Sequence, residues 1–257
     1  MMDLVPAIDP DESGRIHRFL VHQVEAAGAN GVVLGLSGGI DSALSARLAR
    51  DALGPDRVLG LLLPDRSYPA DLREETIGYA RDLGIPFEVI DLAPIESSVV
   101  AALGGSLAPV DRGNVKARIR MLLLYARARP LGRLVIGTGN RSELELGYFT
   151  KFGDGAADLL PLGHLYKTQV RALARRLGLP AAIQERAPTA GLWEGQTDEA
   201  ELGLPYARLD PILAGLDRGL TPAEIAARTG LPPEEVRSVG DRVQRHRHKR
   251  LLPPTPT

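Results

Sequence analysis

The segment Gly31 to Ser42, GVVLGLSGGIDS, decides how the rest of the chain is read. Its first half, Gly31 to Leu36, is a short apolar run of strand type. Its second half, Ser37-Gly38-Gly39-Ile40-Asp41-Ser42, turns through two glycines and opens a helix over Ser42 to Leu53. Leu44, Leu48 and Leu53 share one side of that helix, and Gly54-Pro55 stops it. A strand that passes through Gly-Gly into a helix N-terminus offers backbone N–H groups and partial positive charge to an anion. Ser37 and Ser42 add hydroxyl donors. The loop lacks the Lys of a Walker A motif and is not a dinucleotide fingerprint. Asp41 is the informative residue, because a carboxylate repels bound phosphate unless a cation lies between them. It implies Mg²⁺ bridging protein and phosphate. A Gly-rich turn followed by an Asp cap would explain the same letters separately; the position between strand and helix favours the phosphate loop.

Outward from this loop, strands and helices alternate. Asp11 to Gly28 has helical spacing; Val58 to Leu63 and Pro86 to Leu92 read as strands, and Asp71 to Leu83 as a helix. Helices over Ile95 to Leu103 and Val115 to Arg129 precede a fourth strand, Leu134 to Gly137. This order predicts an α/β fold, a doubly wound parallel sheet in three α/β/α layers. The strands are apolar on both sides, as a doubly covered sheet requires. Right-handed crossovers and ligand binding at the carboxyl ends of the strands follow. Beyond residue 140 the period is lost over Leu146 to Asp158 and Pro188 to Gly203, lengths more often functional than accidental. Lys167 to Leu177 is a strong helix, and Thr221-Pro222-Ala223-Glu224 starts another in a largely helical remainder. One domain over 1–257 is expected, with its core at about 11–250 and a Pro-rich tail at 251–257.

Composition removes whole classes of function. The 257 residues carry a formal net charge of −1, a poor basis for general nucleic-acid binding. There is no cysteine, so disulfides, thiolate metal sites and a Cys nucleophile are excluded. No apolar run approaches the ~20 residues that span a bilayer. Met1 to Pro10 lacks the apolar stretch of a signal peptide, and a cytoplasmic location is expected.

The SGG-x-DS loop resembles that of the N-type ATP pyrophosphatases, which cleave ATP between its α and β phosphates and activate an oxygen as its adenylate. Later segments select within that superfamily. Gly113-Asn114-Val115-Lys116-Ala117-Arg118-Ile119-Arg120, Gly137-Thr138-Gly139-Asn140-Arg141-Ser142-Glu143 and Gly147 to Gly155 (GYFTKFGDG) are similar to segments of the NAD⁺ synthetases. So are Tyr166-Lys167-Thr168-Gln169-Val170, Pro188 to Trp193 (PTAGLW), Gly195 to Glu199 (GQTDE) and His248-Lys249-Arg250, in the family's order. The match runs from about residue 11 to 253.

The resemblance implies ATP contacts at Gly35, Leu36, Ser37, Gly38, Gly39, Ile40, Asp41, Ser42, Thr138, Lys167 and Thr189. Asp41 and Glu143 would hold Mg²⁺, and Lys167 offers a mobile point charge to departing pyrophosphate. Glu143 follows the fourth strand, so its loop can face the phosphate loop across the sheet's carboxyl edge; a plain helix-start Glu is the competing reading. Arg118, Lys151 and Asp158 resemble the family's contacts to deamido-NAD⁺, with Tyr148 stacking on the pyridine ring. Arg118 is read on one basic helix face with Lys116 and Arg120. Asp154, between two glycines, is the candidate base for ammonium. His248 and Lys249 are a substrate-binding pair in the family, although the run Arg242 to Arg250 could also be read as a nucleic-acid patch.

The implied chemistry has two steps. The nicotinate carboxylate of deamido-NAD⁺ attacks the α-phosphorus of ATP, and ammonia then displaces AMP to give NAD⁺. Glutamine-dependent relatives carry a glutaminase domain with a Cys nucleophile; without Cys, free ammonia is the expected nitrogen source. The two irregular stretches are candidate lids that exclude water from the adenylate. The family also implies a homodimer with the substrate site shared at its interface, near the helices after the third strand. No membrane or nucleic-acid partner is expected. A tRNA-modifying adenylating enzyme and a non-catalytic nucleotide sensor are the rival readings.

Overall fold

The computed structural model describes residues 4–193 and 195–256. Met1 to Asp3, Thr257 and Glu194, which bear on the chain start, the tail and the second irregular stretch, lie outside them. In the first half, α1 (Glu12–Ala26), β1 (Gly31–Gly35), α2 (Ile40–Leu53), β2 (Val58–Leu62), α3 (Ala70–Leu83) and β3 (Phe87–Val89) alternate. Then come α4 (Ala93–Ala102), α5 (Pro109–Ala128) and β4 (Arg133–Ile136). The four strands form one parallel sheet in the order β3-β2-β1-β4. Val32 pairs with Val58 on one side and Leu134 on the other.

Alternate strand residues feed two separate apolar layers. Val32, Leu34 and Val58 pack with Leu20, Leu44 and Leu48 of α1 and α2. Val33, Leu59, Leu61 and Val135 pack with Ile119 of α5. Both faces are therefore covered, as the continuous apolar runs require. Strand β3 is the exception: it lies at the sheet edge, is shorter than the expected Pro86 to Leu92, and leaves Val89 exposed. An edge position needs fewer apolar residues and pairs on one side only.

The second half consists of α6 (Arg141–Leu146), α7 (Lys167–Arg176), α8 (Ala181–Glu185), α9 (Asp198–Leu202), α10 (Tyr206–Asp217), α11 (Pro222–Thr229) and α12 (Pro233–Arg245). Leu146, Tyr166, Tyr206, Leu213, Ile225 and Val236 build a further core there. Helix α7 also packs against α2, which joins this core to the sheet. No described helix is long and apolar enough to cross a membrane.

Several boundaries differ from the sequence expectation. Helix α2 starts at Ile40, so Asp41 lies inside its first turn. Helix α5 starts at Pro109, where proline's fixed φ and missing N–H suit a first helical position. Gly113 and Asn114 thus sit inside the helix. The stretch Pro188 to Gly203 contains α9, capped by the Thr197 hydroxyl accepting from the Ala200 amide. The tail over 251–256 is exposed and without helix or strand.

Candidate active site

The phosphate loop is wound around one hydroxyl. Ser42 Oγ accepts from the Ser37 amide at 3.2 Å and from Ser37 Oγ at 3.1 Å, and donates to the Gly39 carbonyl at 2.9 Å. Gly38 has φ +75°, and a Cβ there would lie 2.5 Å from Leu72 Cδ1 and 2.7 Å from Thr76 Oγ1. Only glycine allows both that conformation and that approach to α3. No side chain caps the N-terminus of α2, so its first amides face the cavity without a protein acceptor from a capping group.

Three helix starts converge beside this loop. Asp41 is in the first turn of α2, Glu143 in that of α6, and Lys167 opens α7. Lys167 Nζ donates to Asp41 Oδ2 at 2.5 Å and to Glu143 Oε1 at 3.0 Å. Asn140 binds the two acids together: its Nδ2 donates to Asp41 Oδ1 at 2.9 Å, and its Oδ1 accepts from the Glu143 amide at 3.1 Å. Burial pushes the Glu143 carboxyl up, with Lys167 opposing and Asp41 adding to the shift. Burial alone would lower the Lys167 ammonium, but Asp41 and Glu143 outweigh it and hold it above its ordinary value.

The helices are themselves anchored from behind. Asp210, fully buried on α10, accepts from Ser142 Oγ at 2.6 Å and from the Thr168 amide at 2.8 Å. Ser142 Oγ in turn accepts from the Lys167 amide at 2.9 Å. One carboxylate thereby ties α6 to the start of α7.

A cavity of about 1010 Å³ opens here at the carboxyl edge of the sheet. The loop from Gly35 to Ser42 lines it except at Gly38, together with Thr138, Glu143, Tyr148, Asp154, Lys167, Thr189 and Lys249. Gly38 lines an adjoining crevice with Arg186. Among the described residues no group of three or more ligating side chains could hold a metal. The paired carboxylates Asp41 and Glu143 are nonetheless hard oxygen donors, and the Lys167 ammonium already occupies a cationic position between them. That set fits a small divalent cation completing its shell with phosphate oxygens and water.

Four sequence-selected residues lie off the cavity wall. Arg118 Nη2 donates to the Lys151 carbonyl at 3.3 Å, and Lys151 Nζ to the His248 carbonyl at 2.9 Å. These three form a linked rim. Asp158 accepts from the Val135 amide at 2.7 Å and from the Tyr125 hydroxyl at 3.2 Å, and so fastens its loop to β4. The single basic face expected on α5 is corrected: Lys116 and Arg120 turn inward to Asp65, at 3.0 Å and 3.3 Å, while Arg118 is exposed. Spacing of four keeps residues 116 and 120 together on a helix and sends residue 118 round to another side. Lys116 Nζ also donates to the Leu192 carbonyl at 2.9 Å, and Lys249 Nζ to the Gly147 and Phe149 carbonyls. Both irregular stretches are thus tied down by buried or half-buried lysines.

Sequence reasoning missed several residues. Asn140 was legible as the cap of an N-x-x-E box, but not as a partner of Asp41. Arg186, which donates to the Gly38 carbonyl at 2.5 Å and pairs with Glu75, carried no local signal. Nor did Asp210, while Asp198 lay in the matched Gly195 to Glu199 segment without an assigned role.

Comparison with known proteins agrees with this geometry. The NAD synthase family model matches residues 12–253. An NH3-dependent NAD⁺ synthetase of Methanosarcina mazei is 48% identical over 245 residues, covering 94% of this chain and 96% of the relative. The fold is similar to an NMN synthetase from Francisella tularensis, with TM-score 0.86, 36% identity and coverage of 97% and 99% of the two chains. It is likewise similar to an NH3-dependent NAD synthetase from Campylobacter jejuni, with TM-score 0.83, 32% identity and coverage of 98% and 100%. A match along almost the whole chain, with the acidic pair and its lysine at three converging helix starts, leads to one conclusion: the chain belongs to the NAD synthase family.

Proposed function

We propose that this chain is an ammonia-dependent NAD⁺ synthetase: it adenylates the nicotinate carboxylate of deamido-NAD⁺ with ATP, then amidates it with ammonia. The observation that carries this reading is the Asp41–Lys167–Glu143 cluster, set against an uncapped helix N-terminus at the phosphate loop. The amides of that loop and the α2 terminus would receive the triphosphate. Asp41 and Glu143 would hold Mg²⁺, which when bound offsets the charge of the triphosphate. Lys167 would follow the negative charge that grows on departing pyrophosphate, a role suited to a flexible ammonium in a water-poor site. Thr138 and Thr189 supply hydroxyls along the same wall. Tyr148 offers a ring face for the pyridine.

Asp154 remains the sequence-based candidate for the ammonium base. Its Oδ1 accepts from the Thr150 amide at 2.9 Å. Arg118, Lys151, Asp158 and His248 lie outside the cavity of one protomer. Exposed Leu103, Val110 and Leu122 sit on or beside α4 and α5. We take both facts as support for a homodimer in which a second copy completes the dinucleotide site. The coverage of the ammonia-dependent relative and the lack of Cys support free ammonia as the nitrogen source. A reaction consuming ATP fits the cytoplasmic location read from the sequence.

The likeness to an NMN synthetase favours a second reading, amidation of a mononucleotide. The 48% identity to the Methanosarcina mazei NAD⁺ synthetase, against 36% to the NMN synthetase, supports the dinucleotide. The purified chain is to be given ATP, Mg²⁺ and ammonium chloride with either deamido-NAD⁺ or nicotinate mononucleotide. Production of NAD⁺ at the higher kcat/KM is the expected result. Amidation of the mononucleotide alone would replace the reading, and amidation of neither would end it.

A further inference from the structure

The two glycines that let the phosphate loop approach an anion also leave it loose, because a residue without Cβ has many backbone states to lose. A ligand that had to order such a loop on arrival would bind less tightly. Two side chains from distant segments hold this loop by its carbonyls. Tyr68, between β2 and α3, donates its hydroxyl to the Ser37 carbonyl at 3.0 Å. Arg186 Nη1 donates to the Gly38 carbonyl at 2.5 Å, and its Nη2 pairs with Glu75 of α3. Successive peptides of the loop are thus each fixed from outside it.

The direction of that grip has a consequence for the amides. Across a trans peptide, the carbonyl of one residue and the N–H of the next point opposite ways. The Gly38 carbonyl faces Arg186, with which Gly38 lines the adjoining crevice, so the Gly39 amide is turned to the other side. Gly39 lines the main cavity, and its amide meets Ser37 Oγ at 3.4 Å, a long contact that a charged acceptor can replace. The Arg186–Glu75 pair is not there for stability: the side chains are 25% and 46% exposed, and pairs so exposed contribute little. A guanidinium is a planar fork, however, so an acid on one nitrogen fixes where the other points. Glu75 sets the fork, and the second prong holds Gly38. Arg186 also stands just ahead of Thr189, which lines the same cavity. One residue therefore joins the phosphate loop, α3 and the second irregular stretch.

We propose that Arg186 is a positioning residue for ATP: it holds the Gly38 carbonyl so that the Gly39 amide is aimed at the triphosphate before the nucleotide arrives. Glu75 orients the guanidinium, and Tyr68 holds the preceding peptide. The inference rests on the function proposed above only in that the loop receives a triphosphate. Arg186 acts through the loop and makes no contact with phosphate. The opposite arrangement, in which Arg186 leaves Glu75 to bind a phosphate oxygen, predicts the opposite response when Glu75 is neutralised.

The test measures binding of ATP with Mg²⁺ to the full chain by calorimetry, and NAD⁺ formation with ATP, deamido-NAD⁺ and ammonium each varied in turn. Calorimetry is run at about 0.5 M salt, where screening removes long-range attraction and repulsion. Arg186→Met should weaken ATP binding by about 10- to 30-fold, while KM for deamido-NAD⁺ and for ammonium changes by less than about twofold. Arg186→Lys keeps one donor without the fork and should recover about threefold of that loss. Glu75→Gln should weaken ATP binding by about two- to fourfold, and Tyr68→Phe by about three- to fivefold. These two variants keep the proposal falsifiable if Arg186→Met does not fold. Tighter ATP binding in Glu75→Gln would overturn the positioning role in favour of direct phosphate contact. Equal changes in the constants for all three substrates would reduce Arg186 to a structural residue. A wild-type chain that binds ATP, gives these differences and yet makes no NAD⁺ would end the parent function and leave this inference standing; one that binds no ATP would end both.

Discussion

At the cavity floor, the Lys167 side chain is 3% exposed and contacts two carboxylates, whereas at the rim Arg118 and Lys151 donate only to main-chain carbonyls. The floor's charges are in contact with one another before any ligand arrives. Each is held by hydrogen bonds that reach back to Asn140, Ser142 and Asp210. Among the described residues the rim's cations make no ion pair. Buried charges are stable only in company, so the floor must be built within one chain. Exposed cations lose little by standing alone, so the rim can wait for an anion or for a second copy.

The sharpest way to break this contrast is Lys167→Met. It strands Asp41 and Glu143 opposite each other with no cation, and pyrophosphate release with deamido-NAD⁺ should fall by about 1000-fold. Tm should fall too, and Mg²⁺ should restore part of it by replacing the missing charge. A loss of only a few-fold would mean that the floor is no more prewired than the rim. Asp210→Ala comes next. Two donors, Ser142 Oγ and the Thr168 amide, would lose a buried acceptor, and denaturant unfolding should show a loss of about 2–4 kcal/mol. Adenylation should slow with it, because α6 and α7 carry Glu143 and Lys167. An unchanged unfolding midpoint would show that the anchor behind the floor is dispensable. The smallest effect belongs to the rim. Arg118→Ala should leave stability within about 0.5 kcal/mol of the parent chain. It should raise KM for deamido-NAD⁺ by roughly tenfold at low salt, and by less at high salt as screening weakens the lost attraction. A rise that ignores salt would move Arg118 from electrostatics to packing.

Much of the sheet half was legible because its signals are local. Val32 to Leu36 is apolar over a strand's length, the glycines follow at once, and the helix after them has a clear apolar stripe. The edge strand was overextended to Leu92, because an apolar run does not reveal how many neighbours a strand will have. The α5 cations show a different limit. Lys116, Arg118 and Arg120 are the same kind of residue in one helix, yet two are turned toward Asp65 and one toward solvent. Composition calls all three basic; only the packing partner of α5 sorts them. Asp158 was assigned to substrate by resemblance, and in this protomer its carboxylate holds the Val135 amide.

By itself the sequence determined the strand–glycine loop–helix unit and the doubly covered parallel sheet, whereas Asp41, Glu143 and Lys167 were grouped as a site by family resemblance. The unit and the sheet follow from steric and apolar preferences that act within a few turns of chain. Tertiary structure alone decided that Asn140 reaches Asp41 across 99 positions and that Lys167 reaches it across 126. It also decided that Asp210 stands behind both helices. Periodicity tells which side of a helix is buried, not which other helix end it will meet. Charge pairing and unmet hydrogen bonds are properties of that meeting.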